Sequence, residues 1–415
     1  MIRIIHYKQA EKLLARRAAR LNEAEQAVGP ILDDVRRRGD RALLDYARRF
    51  DGLDNNLRTV AVGGRELDRT YAQLSPGFLR ALKTASVRIR GFARLQLPVE
   101  KMVRLAEGLK AGHIVRPLDA MAAYVPSGRY PLPSTLLMTV IPAQVAGVPR
   151  IYAASPRPSQ EILAVARYLK ITAFFRMGGA HAIAAFAFGT DTVPRVERIV
   201  GPGNIYVAAA KKLLAGEVGI DFVAGPSEIL IIAADGDPKV LAADMLAQAE
   251  HDVEAAAILA TTSKRLAQEV AAQIEQQLPG LPTKAVAREA IDRNSAIILA
   301  PNLEAAVRFS NRFAPEHLSI PDASLLKQVT TAGSVFVGSY SPEAAGDYAS
   351  GPNHVLPTSG FARVRGGLSA ADFVKVISVQ ELSCAALRRL APTITTLARA
   401  EGLEAHARSV EVRTR

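Results

Sequence analysis

The sequence predicts an α/β protein with two doubly wound parallel sheets and helical arms at its N- and C-terminal ends. Three observations predict this fold class. Apolar strand-like runs alternate with helical runs from about residue 113, the strands are apolar along their length, and the alternation forms two successive series. Strands that are apolar on both faces are typical of parallel sheets covered by helices on each side.

The order of these patterns divides the chain into four expected units. Residues 1–112 are expected to form a mostly helical arm, because apolar residues recur there at helical spacing in two long stretches. Residues 113–225 and 226–380 are expected to form the two α/β domains. Residues 381–415 form a tail that we expect to be a helix running into a short strand.

The first series alternates four strands with four helices. Glycine turns precede two of the helices, at Gly178-Gly179 and at Gly201-Pro202-Gly203. Such turns can bring a helix N-terminus to a phosphate, although neither is specific by itself and no G-x-G-x-x-G follows any strand. The expected strands are 121–126, 149–155, 171–177 and 196–201, and the expected helices are 134–148, 159–170, 180–189 and 204–214.

The second series continues the alternation. Its first helix is well marked, because Asp237 is placed to cap it and Pro238 to open its first turn. Residues 279–284 are expected to be a surface turn. The expected strands are 228–235, 255–261, 296–300 and 334–338, and the expected helices are 237–252, 264–278 and 303–313.

The composition indicates a globular cytoplasmic protein. Hydrophobic residues make up 49% and charged residues 22% of the 415 residues, and no apolar run approaches the ~20 residues that span a bilayer. The N-terminus lacks the apolar core and cleavage site of a secretory signal. The single cysteine, Cys384, excludes an internal disulfide framework and a cysteine-rich metal site. We therefore expect no membrane partner.

The net charge of +12 raises the alternative of a nucleic-acid-binding protein. The basic residues are scattered through helical stretches and interleaved with acids, and no nucleic-acid-binding motif accompanies them. We interpret the charge as a basic solvated surface with a modest attraction for anionic ligands such as a dinucleotide. No nucleic-acid partner is expected.

Two possible metal ligands lie near the end of the 237–252 helix. Gln248 and His251 are three residues apart and therefore neighbours on a helix. An amide oxygen and an imidazole can each bind a metal, but zinc takes about four ligands, so this pair alone is more typical of an ordinary solvated helix end. The missing ligands would have to come from elsewhere in the chain.

Other polar residues occur in unusual local company. Glu316-His317 offers two adjacent groups for proton transfer. Asp347 and His354 bracket a loop rich in Gly, Pro and Asn, a type of loop that often carries function. Each feature alone is also typical of a surface. Ser227 precedes a strand, and His406 lies five residues after Glu401 in the tail.

Together these motifs resemble the histidinol dehydrogenase family. The resemblance rests on QAEHD, APEHL, AGDYASGPNHVLPT, GPGNIYVAAAK, AGPSE and EGLEAH, and it extends from VRRRGDRALLDYARRFDG to the tail. It implies a zinc-dependent oxidation of L-histidinol to L-histidine through histidinal with two NAD⁺, the last step of histidine biosynthesis. It also implies two incomplete Rossmann-like domains in an intertwined homodimer with shared active sites, with 381–415 as the dimerisation tail.

The resemblance also assigns site residues. One zinc per subunit would be held by Gln248, His251, Asp347 and His406, the last from the partner subunit. Glu316 and His317 would be the acid–base pair. Tyr124, His181 and Asn204 match cofactor contacts. The substrate-binding positions would be Ser227, Gln248, His251, His317, Asp347, His354, Glu401 and His406.

Two positions depart from the family pattern, both on the expected cofactor side. His181 stands where glutamine is usual, and Pro126-Ser127-Gly128 replaces the usual Pro-Gly-Gly. Neither departure affects the metal ligands or the acid–base pair. They leave open a related zinc- and NAD-dependent dehydrogenase of another amino or polyol alcohol.

Overall fold

Two parallel sheets, each covered by helices on both faces, and one small antiparallel sheet make up the structure. This computed structural model describes residues 2–14, 21–127, 130–223 and 225–415. None of the helices in these ranges combines the length and apolar character that crossing a bilayer requires. The predicted α/β fold class is confirmed.

The strands are numbered along the chain. They are β1 (Ile4–His6), β2 (Lys101–Ala106), β3 (Leu109–Pro117), β4 (Ala120–Tyr124), β5 (Arg150–Ala154), β6 (Ala173–Phe175), β7 (Arg198–Val200), β8 (Gly219–Ile220), β9 (Glu228–Ala233), β10 (Ala256–Thr261), β11 (Ala296–Leu299), β12 (His317–Ile320), β13 (Ser334–Val337) and β14 (Val374–Leu382).

The helices are numbered in the same way. They are α1 (Glu11–Leu14), α2 (Leu21–Arg38), α3 (Asp40–Tyr46), α4 (Gly64–Ala72), α5 (Pro76–Leu95), α6 (Pro133–Ala146), α7 (Gln160–Tyr168), α8 (Gly179–Phe188), α9 (Ile205–Leu214), α10 (Pro238–Ala249), α11 (Lys264–Gln277), α12 (Lys284–Asn294), α13 (Leu303–Phe313), α14 (Glu343–Tyr348), α15 (Cys384–Ala400) and α16 (Glu404–Thr414). A π-helical segment, Ala47–Asp51, follows α3.

Each parallel sheet has a point where the strand order reverses. The first sheet has the order β6-β5-β4-β7-β8, so the chain moves outward on one side of β4 and then crosses to the other. The second sheet has the order β1-β11-β10-β9-β12-β13 and reverses between β9 and β12. In doubly wound folds, ligands bind in the crevice at such a reversal.

Alternation along the strands buries both faces of each sheet. In β4, Ala122 and Tyr124 pack with α2, α8 and α9, whereas Met121 and Ala123 pack with α5, α6 and α7. All residues of β9 are buried: its odd-numbered positions pack toward α10–α12 and its even-numbered apolar positions toward α13. Each fully buried large apolar side chain contributes about 1.5–3 kcal/mol.

The antiparallel sheet joins two segments that are more than 250 residues apart in the sequence. Strand β3 pairs with β2 on one side and with β14 on the other. Gly112 lies in the middle of β3, where an added Cβ would sit 1.8 Å from the carbonyl oxygen of Lys101. Only glycine permits this close approach of two backbones.

The predicted start of α10 is confirmed in detail. Asp237 accepts a hydrogen bond from the backbone N–H of Lys239, and Pro238 occupies the first turn. Met245 and Leu246 are buried on one face of α10, whereas Val240 is exposed.

One expectation about the arms is incomplete and one is wrong. The described part of residues 1–112 is mostly helical, with α1–α5, but it also contains β1, which joins the edge of the second sheet beside β11, together with β2 and most of β3. The predicted strand in the tail is wrong, because α16 is a helix that buries Ala407 and Val410, three residues apart. Residues 15–20 of the expected arm lie outside the described residues, and the boundaries at 112, 225 and 380 stay a prediction.

Gly112→Ala should lower the thermal midpoint of unfolding, because the new Cβ forces β2 away from β3. The matched control is Gly64→Ala at the start of α4, where an added Cβ meets nothing within 4 Å. The control should be neutral or up to about 1 kcal/mol more stable, since alanine loses less backbone entropy on folding. Equal midpoints for the two variants, with equal protease resistance of the 101–117 hairpin, would contradict the close packing of β2 on β3.

Candidate active site

The candidate site lies at the amino ends of two neighbouring strands of the second sheet. Glu228 begins β9 and His317 begins β12, and the strands pair in parallel with His317 opposite Ile229. Helix α10 runs back past the sheet after β9, so Gln248 in its last turn reaches the same edge. The fold thereby gathers residues that are far apart in the sequence.

A residue in the left-handed backbone conformation turns the chain so that Glu316 and His317 lie at this edge. Ala314 has a φ of +53° and ends α13, where its N–H donates to the carbonyl of Ser310. This conformation costs a residue with a Cβ roughly 1–2 kcal/mol. The backbone N–H of Gly333 then donates to the carbonyl of Pro315, which holds the turn against the neighbouring strand.

Glu316 is buried and held by the backbone. Its Oε2 accepts a hydrogen bond of 2.9 Å from the N–H of Glu228. Burial raises the pKa of Glu316 well above its usual range, and the nearby carboxylate of Asp347 adds to the rise. A carboxyl group in this environment binds a proton more readily than one in water.

His317 is buried with one ring nitrogen bonded and the other free. Its Nδ1 lies 3.2 Å from the carbonyl oxygen of Glu228 and 3.4 Å from Oε1 of Glu343. Its Nε2 lies 3.8 Å from Oδ1 of Asp347 and has no hydrogen-bond partner among the described residues. Because only acceptors face Nδ1, we assign the hydrogen to Nδ1, which leaves Nε2 with its lone pair.

Burial, together with the nearby His251 and His354, lowers the pKa of His317 to about 3. His317 is therefore a neutral imidazole, ready to accept a proton at Nε2 from a group that enters the site.

Three side chains beside His317 form a possible metal site. One ligand atom each of His251, Glu343 and Asp347 lies within 4.8 Å of the others. Gln248 joins the group, since its side-chain amide lies 2.7 and 3.1 Å from Oε1 and Oε2 of Glu343, and we assign the NH₂ group to that side because both neighbours are acceptors. Oxygen and nitrogen donors of this kind suit zinc and other borderline divalent ions.

The buried carboxyl groups at this site have no lysine or arginine partner among the described residues to compensate their negative charge. Burial raises the pKa of Asp347 to about 7, and burial with the charges of Asp347, Glu316 and Asp244 raises that of Glu343 well above its usual range. No lysine or arginine of the described chain forms an ion pair with Glu316, Glu343 or Asp347. A bound divalent ion would offset the free-energy cost of burying these carboxylates.

His354 lies beside the same group. Its Nδ1 is 2.9 Å from the backbone carbonyl of Asp347, and burial lowers its pKa to about 4. The loop between Asp347 and His354 therefore folds back on itself, which places both predicted residues at one side of the cluster.

Of the three remaining predicted residues, one adjoins this cluster through its chain neighbour Glu228 and two lie in the tail. Ser227 directly precedes Glu228 at the start of β9, and its carbonyl accepts a hydrogen bond from the N–H of Ala256. Glu401 and His406 lie in the C-terminal tail and are exposed to solvent. Neither of these two belongs to the possible metal group found among the described residues of a single chain.

The predicted cofactor contacts gather at the carboxyl edge of the first sheet. Tyr124 ends β4, and its hydroxyl accepts a hydrogen bond of 3.2 Å from the N–H of Gly179 at the start of α8. Burial raises the pKa of Tyr124 to about 12, so its hydroxyl stays protonated. Asn204 is exposed and caps α9 by accepting hydrogen bonds from the N–H groups of Tyr206 and Val207.

His181 is covered by the N-terminal arm. It is only 1% exposed, and its Nε2 lies 2.8 Å from Oδ2 of Asp51, an atom that also accepts from the N–H of Gly178. The rings of Tyr46 and Phe50 pack beside it. The structure thus gives the imidazole of His181 an internal partner. In the neighbouring loop, Ser127 accepts from the N–H of Arg157, and Gly128 lies outside the described residues.

A buried ion pair fixes the second glycine turn. Lys211 pairs with Asp221, and its Nζ also donates to the carbonyl of Gly201 at 3.0 Å. Asp221 in turn accepts from the N–H of Gly201 at 2.7 Å. Gly201 itself lies so close to β4 that an added Cβ would be 2.1 Å from the carbonyl oxygen of Tyr124. The turn before Asn204 is therefore rigid.

Sequence reasoning missed several residues that build these sites. Glu343 could have been found, because it lies four residues before Asp347 and so faces the same side of a helix. Asp51, Lys211 and Asp221 act across long sequence separations, and no local pattern indicates their partners.

The sequence is similar to histidinol dehydrogenases over almost its whole length. The family model for histidinol dehydrogenase matches residues 14–414. The histidinol dehydrogenase of Geobacter sulfurreducens is 45% identical over 410 residues, covering 97% of this chain and 96% of that protein. The one from Methanothermobacter thermautotrophicus is 43% identical over 419 residues, covering 99% and 98%. The crystal structure of histidinol dehydrogenase from Elizabethkingia anophelis aligns with a TM-score of 0.93 at 36% identity, covering 99% and 98%.

Proposed function

The chain belongs to the histidinol dehydrogenase family, and on that premise we propose that it oxidises L-histidinol to L-histidine through histidinal, using two NAD⁺. This is the last step of histidine biosynthesis. The observation that carries the proposal is the buried cluster in which the free Nε2 of His317 lies 3.8 Å from Oδ1 of Asp347, beside His251 and Gln248. A proton acceptor and a set of metal donors are thereby adjacent.

We propose that one zinc ion per subunit is held by Gln248, His251 and Asp347, together with His406 of the partner subunit. The close approach of the His251 and Asp347 donors and the lack of a basic partner within the described chain support a cation there. When bound, zinc would grip and orient the amine and imidazole of histidinol, and NAD⁺ would accept the hydride of each oxidation.

The chain's own residues handle the protons. The alcohol must lose its O–H proton as its carbon loses a hydride, and Nε2 of His317 can accept that proton. The Nδ1–H of His317 faces the carbonyl of Glu228 and the carboxylate of Glu343, and these acceptors stabilise the imidazolium that forms. Histidinal must then gain water, and the raised proton affinity of Glu316 suits it to activate that water.

The substrate would contact residues around the cluster. We propose that Ser227, His354 and Glu401 join the metal ligands and His317 in binding histidinol. The position of Ser227 beside Glu228 and of His354 beside Asp347 supports this for two of the three. Glu401 would come with His406 from the partner subunit.

NAD⁺ is proposed to bind at the reversal point of the first sheet. Tyr124 ends β4 and Asn204 follows β7, so both flank the crevice where doubly wound sheets bind nucleotides. The rigid glycine turn brings the N-terminus of α9 to this crevice. His181 stays a proposed contact, although the covering arm must open before a ligand can touch its ring.

An intertwined homodimer is proposed from the exposed apolar surface of the tail. Leu397, Leu403 and Val412 of the tail and Val376 and Ile377 of β14 are exposed. A second copy would cover these side chains and would carry Glu401 and His406 to its neighbour's cluster. The cytoplasmic location and the lack of a nucleic-acid partner stay predictions.

The reaction itself gives the first test. Each L-histidinol consumed should yield two NADH and one L-histidine, because the oxidation removes four electrons. NADH absorbance and chromatography of the products measure both quantities, with other amino alcohols and polyols assayed in parallel. Accumulation of histidinal with a single NADH, or faster turnover of another alcohol, would refute the proposed function.

Substitutions of the two proton-handling residues should affect the oxidation of L-histidinol and of histidinal to different extents. His317→Asn should suppress oxidation of L-histidinol by about 10²–10⁴-fold, since the proton acceptor is lost. Glu316→Gln should affect oxidation of supplied histidinal more strongly than oxidation of the alcohol. His6→Asn, an exposed histidine outside the cluster, is the matched control and should be unaffected. Equal losses on both substrates for Glu316→Gln would contradict the division.

Mixing two defects tests the shared site. His251→Ala and His406→Ala should each be inactive as homodimers, because a site that lacks one of about four ligands holds zinc poorly. In a mixed dimer, one site collects both defects and the other is intact. Coexpression should therefore restore activity, limited to one good site per mixed dimer. Purified mixed dimers that fold but stay inactive would show that both ligands come from one chain.

A further inference from the structure

Glu343 is a buried carboxylate that the proposed reaction does not by itself require. It begins α14, is 4% exposed, and belongs to the group of possible metal ligands beside His317. Both of its oxygens face the side-chain amide of Gln248, at 2.7 and 3.1 Å. Its Oε1 is also 3.4 Å from Nδ1 of His317. One carboxylate therefore contacts both a proposed metal ligand and the proposed base.

The contact with Gln248 selects one of two amide orientations. Both carboxyl oxygens of Glu343 lie within hydrogen-bonding distance of the same amide position, and only the NH₂ group of Gln248 can donate to two acceptors there, so that group faces Glu343. The amide oxygen is then turned away from Glu343 and keeps its lone pairs for another partner. The two orientations of an amide have nearly the same shape, so packing alone does not choose between them. Only the orientation that Glu343 favours leaves the oxygen available to a cation.

The contact between Glu343 and His317 likewise favours one of two states, here the tautomer of the imidazole. Only acceptors, the Glu228 carbonyl and the Glu343 carboxylate, face Nδ1, so both favour a hydrogen there. The lone pair is then confined to Nε2, on the side of Asp347. Glu343 thus favours the useful orientation of the amide and the useful tautomer of the imidazole.

We propose that Glu343 is a positioning residue that orients the amide of Gln248 as a metal ligand and supports the Nδ1–H tautomer of His317. The inference rests on the proposed zinc site. Glu343 also belongs to the group of possible ligands, so direct binding of the ion is the competing role. We favour positioning because both carboxylate oxygens are within hydrogen-bonding distance of Gln248.

A double-mutant cycle on zinc affinity separates the two roles. Zinc affinity is measured by competition with a chelating dye in the wild type, Glu343→Ala, Glu343→Gln, Gln248→Ala and the double mutant Glu343→Ala/Gln248→Ala. Glu343→Ala should weaken zinc binding by about 10–100-fold, the usual effect of losing an outer partner of a ligand. Glu343→Gln should lose less, because its amide oxygen still accepts from Gln248. The double mutant should bind as Gln248→Ala does.

The Co²⁺-substituted protein gives a readout that is independent of activity. Its visible absorption should keep the wild-type band positions in Glu343→Gln, because the ligand set is unchanged. The matched control is Glu304→Gln, the same change at an exposed residue of α13, which should leave zinc affinity unchanged. Thermal midpoints identify any variant that does not fold, and the near-isosteric Glu343→Gln keeps the test usable if Glu343→Ala fails to fold.

Each of the other outcomes contradicts a specific part of the proposal. Wild-type zinc affinity in both Glu343 variants refutes the inference alone. A loss in Glu343→Ala that persists in the Gln248→Ala background, or a shifted Co²⁺ spectrum in Glu343→Gln, shows that Glu343 acts on the ion directly. A wild-type protein that binds no zinc refutes the proposed metal site and the inference with it.

Discussion

The burial of His317 among acceptors is the interaction on which the rest of the site depends. The carbonyl of Glu228 and the carboxylate of Glu343 face one ring nitrogen, and the other nitrogen has no hydrogen-bond partner in the described part of the chain. Since burial makes the charged imidazolium costly, the ring is neutral until a proton arrives together with new stabilising contacts. The same burial raises the proton affinity of Glu316 and Asp347. A bound cation would therefore supply the positive charge that the buried carboxylates lack within the described chain. A substrate with polar groups would supply the hydrogen-bond partner that Nε2 of His317 lacks among the described residues.

The two parallel sheets use opposite edges for their polar residues. In the first sheet, Tyr124 ends β4 and Asn204 follows β7, at the carboxyl edge where doubly wound folds bind nucleotides. In the second sheet, Glu228 and His317 stand at the amino ends of β9 and β12. The second sheet has the same doubly wound strand order, but its polar cluster lies at the amino edge instead of the carboxyl edge. Sheet topology alone would have placed the polar cluster on the wrong side.

The sequence predicted what depends on local pattern and missed what depends on distant partners. The alternation of strands and helices and the Asp237 cap follow from neighbours in the chain, and both are present. Strand β1 has its partner in β11, almost the whole chain away, and the alternating apolar residues near the C-terminus fit a strand as well as a helix. The grouping of His251 with Asp347 came from family resemblance. The orientation of the Gln248 amide depends on Glu343, a contact that no spacing rule contains.

The pairing of β1 with β11 also sets an order of events during synthesis. Ile4–His6 leave the ribosome long before their partner residues, Ile297–Leu299, which lie in the last-made strand of the β9-β10-β11 series. At roughly 5–20 residues per second, the leading segment waits on the order of 15–60 s for its place. The first sheet is complete before then, since its strands end at Ile220. A nascent chain of this protein therefore carries the strands of the first sheet together with a segment, Ile4–His6, that still lacks its partner strand, a state in which chaperone binding and mispairing with other nascent strands compete.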